Sequence, residues 1–422
     1  MSTLQQMDHS SLQHLHEKTK KELDAIKKEN LSLNMARGKP SAEQLQLSLE
    51  LLDSVTSKNI GDNFSVLNYG MVDGLPEAKA LFKDLLEVDT EEILIGGNAS
   101  LNIMHDLISK ALIKGVIDSE TPWGKEDAIK FICPVPGYDR HFTICEQYDI
   151  EMISVEMLND GPDMDKVEEL VRNDASIKGM WSVPKYSNPE GITYSDEVVE
   201  RLAKMETKAK DFKIFWDNAY AIHDLTDHPP KLKNILEACK KHGNPNRVFM
   251  FASTSKMTFP GSGVAVVAAS RENISFIKEQ LSVQTIGPDK VNQLRHVRFF
   301  ENYSNLLEHM KKHAEIMKPK FDAVIEILHS KLDSYGIATW AEPDGGYFIS
   351  LDTMDGCASE VIHLAKEAGV TLTGAGAAFP YGKDPRDRNI RIAPSFPSLE
   401  EVEKAIDVLC TCIILVSTKK LL

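Results

Sequence analysis

The stretch Arg247–Gly263, RVFMFASTSKMTFPGSG, decides how the chain around it is interpreted. Its apolar run Val248–Ala252 predicts a buried strand that ends in hydroxyl residues and a single lysine, Lys256. A turn rich in proline and glycine follows, and a second apolar run, Val264–Ala269, begins after it. A lysine just beyond the carboxyl end of a buried strand lies where open α/β sheets bind their ligands. Lys256 is therefore either a reactive amine beside an anion site or a solvated residue of a strand-to-strand loop.

Short apolar runs alternate with amphipathic helical patterns through the middle of the chain. Strands are predicted over residues 93–95, 129–133, 152–155, 179–183, 213–216 and 248–252. Near-continuous apolar strands separated by amphipathic helices predict a mostly parallel sheet that is covered on both faces. A chain of 422 residues has room for one large α/β domain of this kind and a second, smaller domain.

The two ends of the chain predict an N-terminal helix and the smaller domain. Apolar residues recur at helical spacing within residues 1–30, which predicts an amphipathic helix behind a frayed segment at 1–10. A long helical pattern over 290–335 leads into short strands at 340–351, 370–376 and 389–393 and a closing helix at 399–415. The predicted boundaries are 1–60 for the N-terminal arm and part of the small domain, 61–310 for the large domain, and 311–422 for the small C-terminal domain.

The composition argues against several classes of protein. A formal net charge of -15 disfavours general binding to nucleic acid or anionic membranes, since both need a basic surface. Six cysteines without a CxxC pair indicate reduced, intracellular usage rather than a disulfide framework. The N-terminus lacks the apolar core of a secretory signal, and the apolar run Cys412–Val416 is too short to span a bilayer. These features predict a soluble cytoplasmic protein.

Polar residues follow the carboxyl ends of the predicted parallel strands. They are Tyr138, Asn188, Asp217, Tyr220, Ser253 and Lys256. Because such strand ends meet at one edge of a sheet, residues distant in sequence can line one crevice. Gly96–Ser100 joins a strand to a helix in the same way, and free N–H groups at a helix N-terminus bind anions. This loop matches neither GxGxxG nor a Walker motif, so its glycines could also be plain turn residues.

Two His–Asp pairs in the middle of the chain suggest a metal at first sight. His223-Asp224 and Asp227-His228 lack an established zinc spacing, however. They are interpreted as a solvated polar turn, and no metal site is predicted.

Three short motifs carry a resemblance to a known family. Asn188-Pro189-Glu190-Gly191, Asp217-x-x-Tyr220 and Ser253-x-x-Lys256 resemble, in order and spacing, the motifs of class I/II aminotransferases. These are fold-type I enzymes that depend on pyridoxal 5'-phosphate (PLP). The resemblance is greatest to the divergent bacterial aspartate aminotransferase subgroup, through MARGKPS, PGYDRHF and TSKMTFPGSGV, and extends from about Leu33 to the C-terminus. It implies a three-layer α/β fold with a mostly parallel central sheet, residues 61–310 as the PLP-binding domain, and a smaller α+β domain.

The resemblance assigns catalytic and cofactor-binding roles. Lys256 is expected to form a Schiff base with the PLP aldehyde and then to act as the base that moves the α-proton. Asp217 is expected to pair with the pyridinium nitrogen, which keeps the ring an electron sink. Asn188 and Tyr220 are expected to hydrogen-bond the phenolic oxygen of the cofactor, and Tyr138 to stack on its ring.

Further residues are assigned to the phosphate and the substrate. The residues expected to bind the cofactor phosphate are Ser253 and Ser255, the backbone of Asn98, Ala99 and Ser100, and Tyr69 of a neighbouring subunit. The assignment of Tyr69 implies a homodimer with shared sites. Arg391 matches the arginine that binds the substrate α-carboxylate, for which a planar guanidinium is suited. Asn188 and Gly38 are assigned to the same substrate site. The residue for the distal carboxylate stays open among Arg37, Arg140, Lys185 and Arg295.

One position departs from the pattern of the family. Most relatives carry a phosphate-binding arginine eight residues after the lysine, where this chain has Val264. The phosphate would then depend on hydroxyls and backbone N–H groups, or on another cation, for which Lys185 and Arg37 are candidates.

The resemblance implies amino-group transfer, with L-aspartate and 2-oxoglutarate as expected substrates. The mechanism that the resemblance implies is ping-pong through the pyridoxamine form of the cofactor. Neutral or aromatic amino acids remain open as substrates, and a PLP-dependent carbon–sulfur lyase is the alternative enzyme. A transcriptional regulator on the same fold would need an N-terminal DNA-binding domain, for which the residues before Leu33 are too few.

Overall fold

The computed structural model describes residues 4–61 and 64–422, and an eight-stranded sheet lies at its centre. The strands are β1 Leu33–Asn34, β2 Ile93–Ile95, β3 Lys130–Val135, β4 Glu151–Leu158, β5 Gly161–Pro162, β6 Ile177–Ser182, β7 Lys213–Asp217, β8 Val248–Ser253, β9 Ala265–Ala268, β10 Ala338–Trp340, β11 Ile349–Thr353, β12 Val370–Thr371 and β13 Asn389–Ile392. The central sheet has the order β2-β9-β8-β7-β6-β3-β4-β5.

The predicted mostly parallel sheet is confirmed. Strands β4, β3, β6, β7 and β8 are parallel to their neighbours in that order. Strand β9 turns back from β8 and runs antiparallel to both β8 and β2. Every side chain of β7 is buried, as expected for a strand covered on both faces.

Helices cover both faces of this sheet. The helices of the described residues are α1 His9–Lys27, α2 Ala42–Gln46, α3 Pro76–Leu86, α4 Ser100–Lys114, α5 Asp139–Gln147, α6 Met164–Asn173, α7 Asp196–Lys204, α8 Ile235–Lys241, α9 Arg271–Gln284, α10 Lys290–Phe300, α11 Tyr303–Leu332, α12 Ala358–Glu367 and α13 Leu399–Leu421. Of these, α1, α12 and α13 belong instead to the smaller unit described below. Successive residues of a strand point to opposite faces, so Ile214 and Trp216 join one apolar cluster and Phe215 the other. The result is a three-layer arrangement in which the central sheet lies between two layers of helices.

A smaller unit forms around a third apolar cluster. It contains the antiparallel sheet β10-β11-β13 and the short parallel pair of β1 with β12. Helix α11 runs through the predicted boundary at 310/311, with Met310 in a cluster of the large sheet and Met317 in that of the smaller unit. The predicted domain ranges 1–60, 61–310 and 311–422 stay a prediction.

The long helical pattern over 290–335 consists of two helices, because Glu301 has a positive φ of 61° and Asn302 caps the N-terminus of α11. One local prediction differs from the structure. The frayed segment at 1–10 is wrong for Leu4, which is buried in the smaller unit. Residues 1–3 lie outside the described part of the chain. Within 4–61 and 64–422, no helix has the length and apolar composition that a membrane crossing requires.

Candidate active site

Lys256 lies in the loop that joins β8 to the antiparallel strand β9. Its Nζ is 5.0 Å from the ring centre of Tyr220 and 5.8 Å from that of Tyr347. Burial lowers the pKa of Lys256, and the charge of Asp217 opposes this effect. A desolvated lysine is a better nucleophile and base near neutral pH than a solvated one. Lys256 is thus partly buried against two aromatic rings, unlike the solvated loop residue of the alternative interpretation.

Asp217 ends β7 and is almost fully buried. Its Oδ2 is 3.0 Å from Nε2 of His141. Its Oδ1 is inaccessible to solvent and receives no hydrogen bond within the described chain. Buried carboxylate oxygens almost always have a donor, so this atom fits a ligand that brings an N–H group. A protonated ring nitrogen, as in PLP, satisfies that requirement.

His141 is a residue of this site that the sequence reasoning missed. Its ring stacks on Trp181, with centres 4.3 Å apart and planes 6° from parallel, and meets the Tyr138 ring edge-on at 4.9 Å. The motif PGYDRHF contains His141 three residues after Tyr138, on the same side of α5. The spacing between Tyr138 and His141 could have indicated that His141 lies near the site. It could not have revealed the contact between His141 and Asp217.

Replacing His141 with phenylalanine is expected to lower kcat/KM by about 10- to 100-fold, since a hydrogen bond to a charged group contributes roughly 1.5–3 kcal/mol. An aromatic ring can still stack on Trp181, whereas Asp217 loses its donor. Steady-state kinetics checks this, with H105F as the control because His105 contacts Tyr148 at the surface. Equal activity of H141F and H105F would contradict the role of His141.

The predicted phosphate-binding hydroxyls lie side by side at the end of β8. Ser253 Oγ donates to Ser255 Oγ at 3.1 Å, and Ser255 Oγ donates to the carbonyl of Asn98 at 3.4 Å. A Cβ on Gly263 would lie 2.8 Å from that same carbonyl oxygen, so only glycine allows the two loops to approach this closely. The loops at 96–100 and 253–263 thus form one surface.

Helix α4 adds its N-terminus to this surface. Ala99 is the N-cap residue and offers no side-chain cap, and Ser100 is the first residue of the helix. Free N–H groups at such a terminus suit a phosphate. Thr254 points inward instead, where its Oγ1 accepts a hydrogen bond from Val264 N at 2.9 Å. The side chain of Val264 is itself buried.

The predicted substrate-binding residues meet beside this surface. Arg391 NH1 contacts Asp139 Oδ1 at 2.9 Å and Asn188 Oδ1 at 3.4 Å. The guanidinium carbon lies 5.0 Å from the ring centre of Phe348. A Cβ on Gly38 would lie 2.5 Å from Cζ of that ring, so Gly38 lets the main chain rest against Phe348.

Several predicted residues are not brought into this cluster. Tyr69 is 79% exposed and makes no contact with the site of its own chain that the described residues record. Lys185 Nζ is bound to Asp224 at 2.7 Å and to the carbonyl of Ala221, which makes it a poor candidate for a phosphate or a distal carboxylate. Arg37 and Arg140 are exposed, and both stay open as partners of the distal carboxylate.

The interpretation of His223 and Asp224 as a solvated turn is wrong for both. His223 is buried, and its carbonyl accepts a hydrogen bond from Gly346 of the smaller unit at 2.9 Å. Asp224 accepts hydrogen bonds from Lys185 and from the Tyr186 hydroxyl. The segment forms an internal contact between the large sheet and the smaller unit. The polar composition of the segment did not indicate this contact.

Two histidines of α11 hold the main chain next to the lysine. Nε2 of His309 and Nε2 of His313 lie 2.8 and 3.0 Å from the carbonyl oxygen of Met257. Nδ1 of His313 is 3.1 Å from the amide nitrogen of Gln44, whose amide also bonds the hydroxyl of Tyr347. The peptide after Lys256 is thus tied to α2 and α11.

The free energy of unfolding is expected to fall as the pH falls from 6.5 toward 4. Burial lowers the pKa of His313 from 6.5 to about 4, so the unfolded chain binds a proton in this window that the folded chain does not. The expected loss for His313 is about 3 kcal/mol, at roughly 1.4 kcal/mol per pKa unit. Urea unfolding at several pH values measures it. H313Q should flatten the dependence and H363Q, at an exposed position, should not; equal slopes would contradict the assignment.

Comparison with known proteins shows the family to which the chain is similar. The family described as aspartate amino-transferase matches residues 7–422. An aspartate aminotransferase of Corynebacterium glutamicum is 48% identical over 99% of this chain and 97% of its own. The solved structure of an aspartate transaminase from the same species has a TM-score of 0.97 at 48% identity and covers 100% of both chains.

A more distant solved structure shares the fold alone. The α-aminoadipate aminotransferase of Thermus thermophilus, complexed with N-(5'-phosphopyridoxyl)-L-leucine, has a TM-score of 0.76 at 18% identity and covers 96% of both chains. The fold and the site define an enzyme of the fold-type I aminotransferases. The chain belongs to the aspartate amino-transferase family, and it is an aminotransferase.

Proposed function

We propose that this aminotransferase uses PLP to move the amino group of L-aspartate to 2-oxoglutarate by a ping-pong mechanism. The observation that carries the cofactor proposal is the buried, unpartnered Oδ1 of Asp217 in the same crevice as the desolvated Lys256. The name of the Corynebacterium relative supports the substrates. PLP supplies an aldehyde that captures amines and a ring that accepts the electrons released at the substrate Cα.

The residues of the chain divide the remaining work. Lys256 Nζ would hold the cofactor and would carry the α-proton of the substrate. Asp217 would keep the ring nitrogen protonated, and His141 orients the carboxylate of Asp217. Asn188 and Tyr220 would bind the phenolic oxygen; burial raises the pKa of Tyr220, so this hydroxyl stays a donor at neutral pH. Tyr138 would stack on the ring, and its pKa is raised to about 12 by burial.

The phosphate is held without the arginine that most relatives carry. Ser253, Ser255 and the N–H groups of residues 98–100 form its cup. A hydroxyl and helix-terminus site of this kind binds a phosphate through many neutral donors rather than through one cation. Arg391 binds the α-carboxylate, and Asn188 and Gly38 complete the substrate side of the site. The group that binds the distal carboxylate stays open.

A homodimer with shared sites is part of the proposal. Apolar side chains are exposed on two adjoining segments of the chain: Leu67, Tyr69, Met71, Val283 and Ile286. The segments are joined by a hydrogen bond from Gly70 N to the carbonyl of Ile286 at 3.2 Å. Contiguous exposed apolar surface marks an interface, and Tyr69 in its middle is free to reach a second copy. Sedimentation of the holoenzyme tests this, since a monomer would contradict it.

The cytoplasm is the proposed location. All six cysteines are free and buried, which agrees with a reducing compartment.

Borohydride reduction followed by peptide mapping tests the cofactor assignment. A pyridoxyl label is expected on the peptide that contains Lys256. Label on another lysine, or none after loading with PLP, would refute the proposal.

Substrate profiling then tests the reaction. Aspartate and glutamate with their 2-oxoacids should be faster than alanine or phenylalanine. Release of pyruvate and ammonia from an amino acid without any 2-oxoacid acceptor would favour the carbon–sulfur lyase instead. A preference for phenylalanine would favour an aromatic aminotransferase.

A further inference from the structure

The guanidinium of Arg391 is already paired with a carboxylate of its own chain. NH1 contacts Asp139 Oδ1 at 2.9 Å, and NH2 has only a long contact of 3.4 Å with Thr373 Oγ1. Nε is buried and has no hydrogen-bond partner in the described ranges. NH1 also contacts Asn188 Oδ1 at 3.4 Å, so NH1 is occupied, while the edge formed by Nε and NH2 is poorly satisfied. That edge has the two parallel donors that a second carboxylate needs.

We propose that Asp139 is a specificity-determining residue that weakens carboxylate binding at Arg391: it compensates the charge of the guanidinium through NH1 and leaves the edge of Nε and NH2 to the substrate. The proposal rests on the proposed function, in which Arg391 receives the α-carboxylate. In the substrate-free protein Asp139 neutralises the arginine, whose side chain is only 9% exposed. A substrate then has to bind a guanidinium whose charge is already compensated.

Asp139 occupies a favourable position for a carboxylate. It is the first residue of α5, where the helix dipole stabilises a carboxylate, and its side chain is 31% exposed. Because the aspartate is partly solvated and the arginine is buried, the pair avoids leaving an uncompensated cation inside the protein. The consequence is weaker binding of any carboxylate that makes a single contact. A ligand that offers two parallel acceptors to Nε and NH2 is favoured over one that does not.

The test is the substitution Asp139→Asn in the PLP-loaded protein. Asparagine keeps an oxygen at the position of Oδ1, so it still accepts from NH1 of Arg391, but the negative charge is gone. We expect the Kd of succinate, an unreactive dicarboxylate, to fall roughly tenfold by titration calorimetry, since the full charge of the guanidinium becomes available. The KM for the amino acid should fall with it, without a rise in kcat. An unchanged or higher Kd for succinate overturns the proposal.

Two controls separate this effect from other causes. Asp355 pairs with Arg386 at the surface, so D355N should leave succinate binding unchanged. Propylamine, which has an amino group and no carboxylate, should bind D139N and the wild type equally; tighter binding to D139N would mean a general change of the site and overturn the proposal. Failure of the proposed function is seen separately, as absence of a PLP absorption band in the wild-type protein.

Discussion

Replacing Lys256 with alanine is expected to reduce amino-group transfer by at least about 10⁴-fold, because in the proposed mechanism one side chain provides both the amine and the proton carrier. The loss should lie in kcat, since Ser253, Ser255 and Arg391, the proposed binding residues for cofactor and substrate, remain. Single-turnover measurements with PLP-loaded protein and aspartate check this.

The control for this variant is Lys231→Ala, because Lys231 is an exposed lysine outside the crevice. It should retain wild-type activity. A small primary amine added to K256A should restore a measurable part of the rate, because it can replace the missing base. K256A activity within tenfold of the wild type would remove the lysine from the mechanism.

Replacing Asp217 with asparagine is expected to lower kcat/KM by about 10²- to 10³-fold, the usual loss when one preorganised electrostatic contact of a transition state is removed. Asparagine preserves the volume and can still accept from His141, so the fold should survive. The substitution removes the negative charge that would hold a proton on the ring nitrogen of bound PLP. The pH–rate profile and the absorption spectrum of the bound cofactor should both change.

The matched control is Asp211→Asn, a buried aspartate just before the opposite end of the same strand. Asp211 binds Lys178 and Trp123, so its loss should lower the free energy of unfolding but leave kcat unchanged. Equal kinetic losses in D217N and D211N would show that the effect of Asp217 is one of stability rather than chemistry.

The structure shows the surroundings of Val264, the position at which most relatives carry a phosphate-binding arginine. Val264 is buried and its N–H binds the hydroxyl of Thr254, so this position faces the interior rather than the phosphate cup. Lys185, one of two cations considered as a replacement, is engaged by Asp224. The proposed cup is therefore built from hydroxyls and main-chain N–H groups.

The sheet and the grouping of residues at its edge could be predicted from the chain alone. Apolar runs of strand length, separated by amphipathic helices, have few arrangements that bury them, and a parallel sheet brings its carboxyl ends together. Asp217, Tyr220 and Lys256 follow directly from that rule. The spacing of the short motifs then indicated the chemistry, because residues a few positions apart at the end of one strand stay close together in the fold.

The pairings within the site were decided only by the tertiary structure. His141 meets Asp217, and Asp139 meets Arg391, across separations of 76 and 252 residues. No periodicity encodes such contacts, because they depend on how helix α5 crosses the strand ends and on which rotamers the surrounding packing allows. For the same reason His223 looked solvated in the sequence and is buried in the fold. The periodicity of the sequence therefore determined which residues lie at the carboxyl edge of the sheet. Long-range packing determined which partner each charged group at that edge contacts.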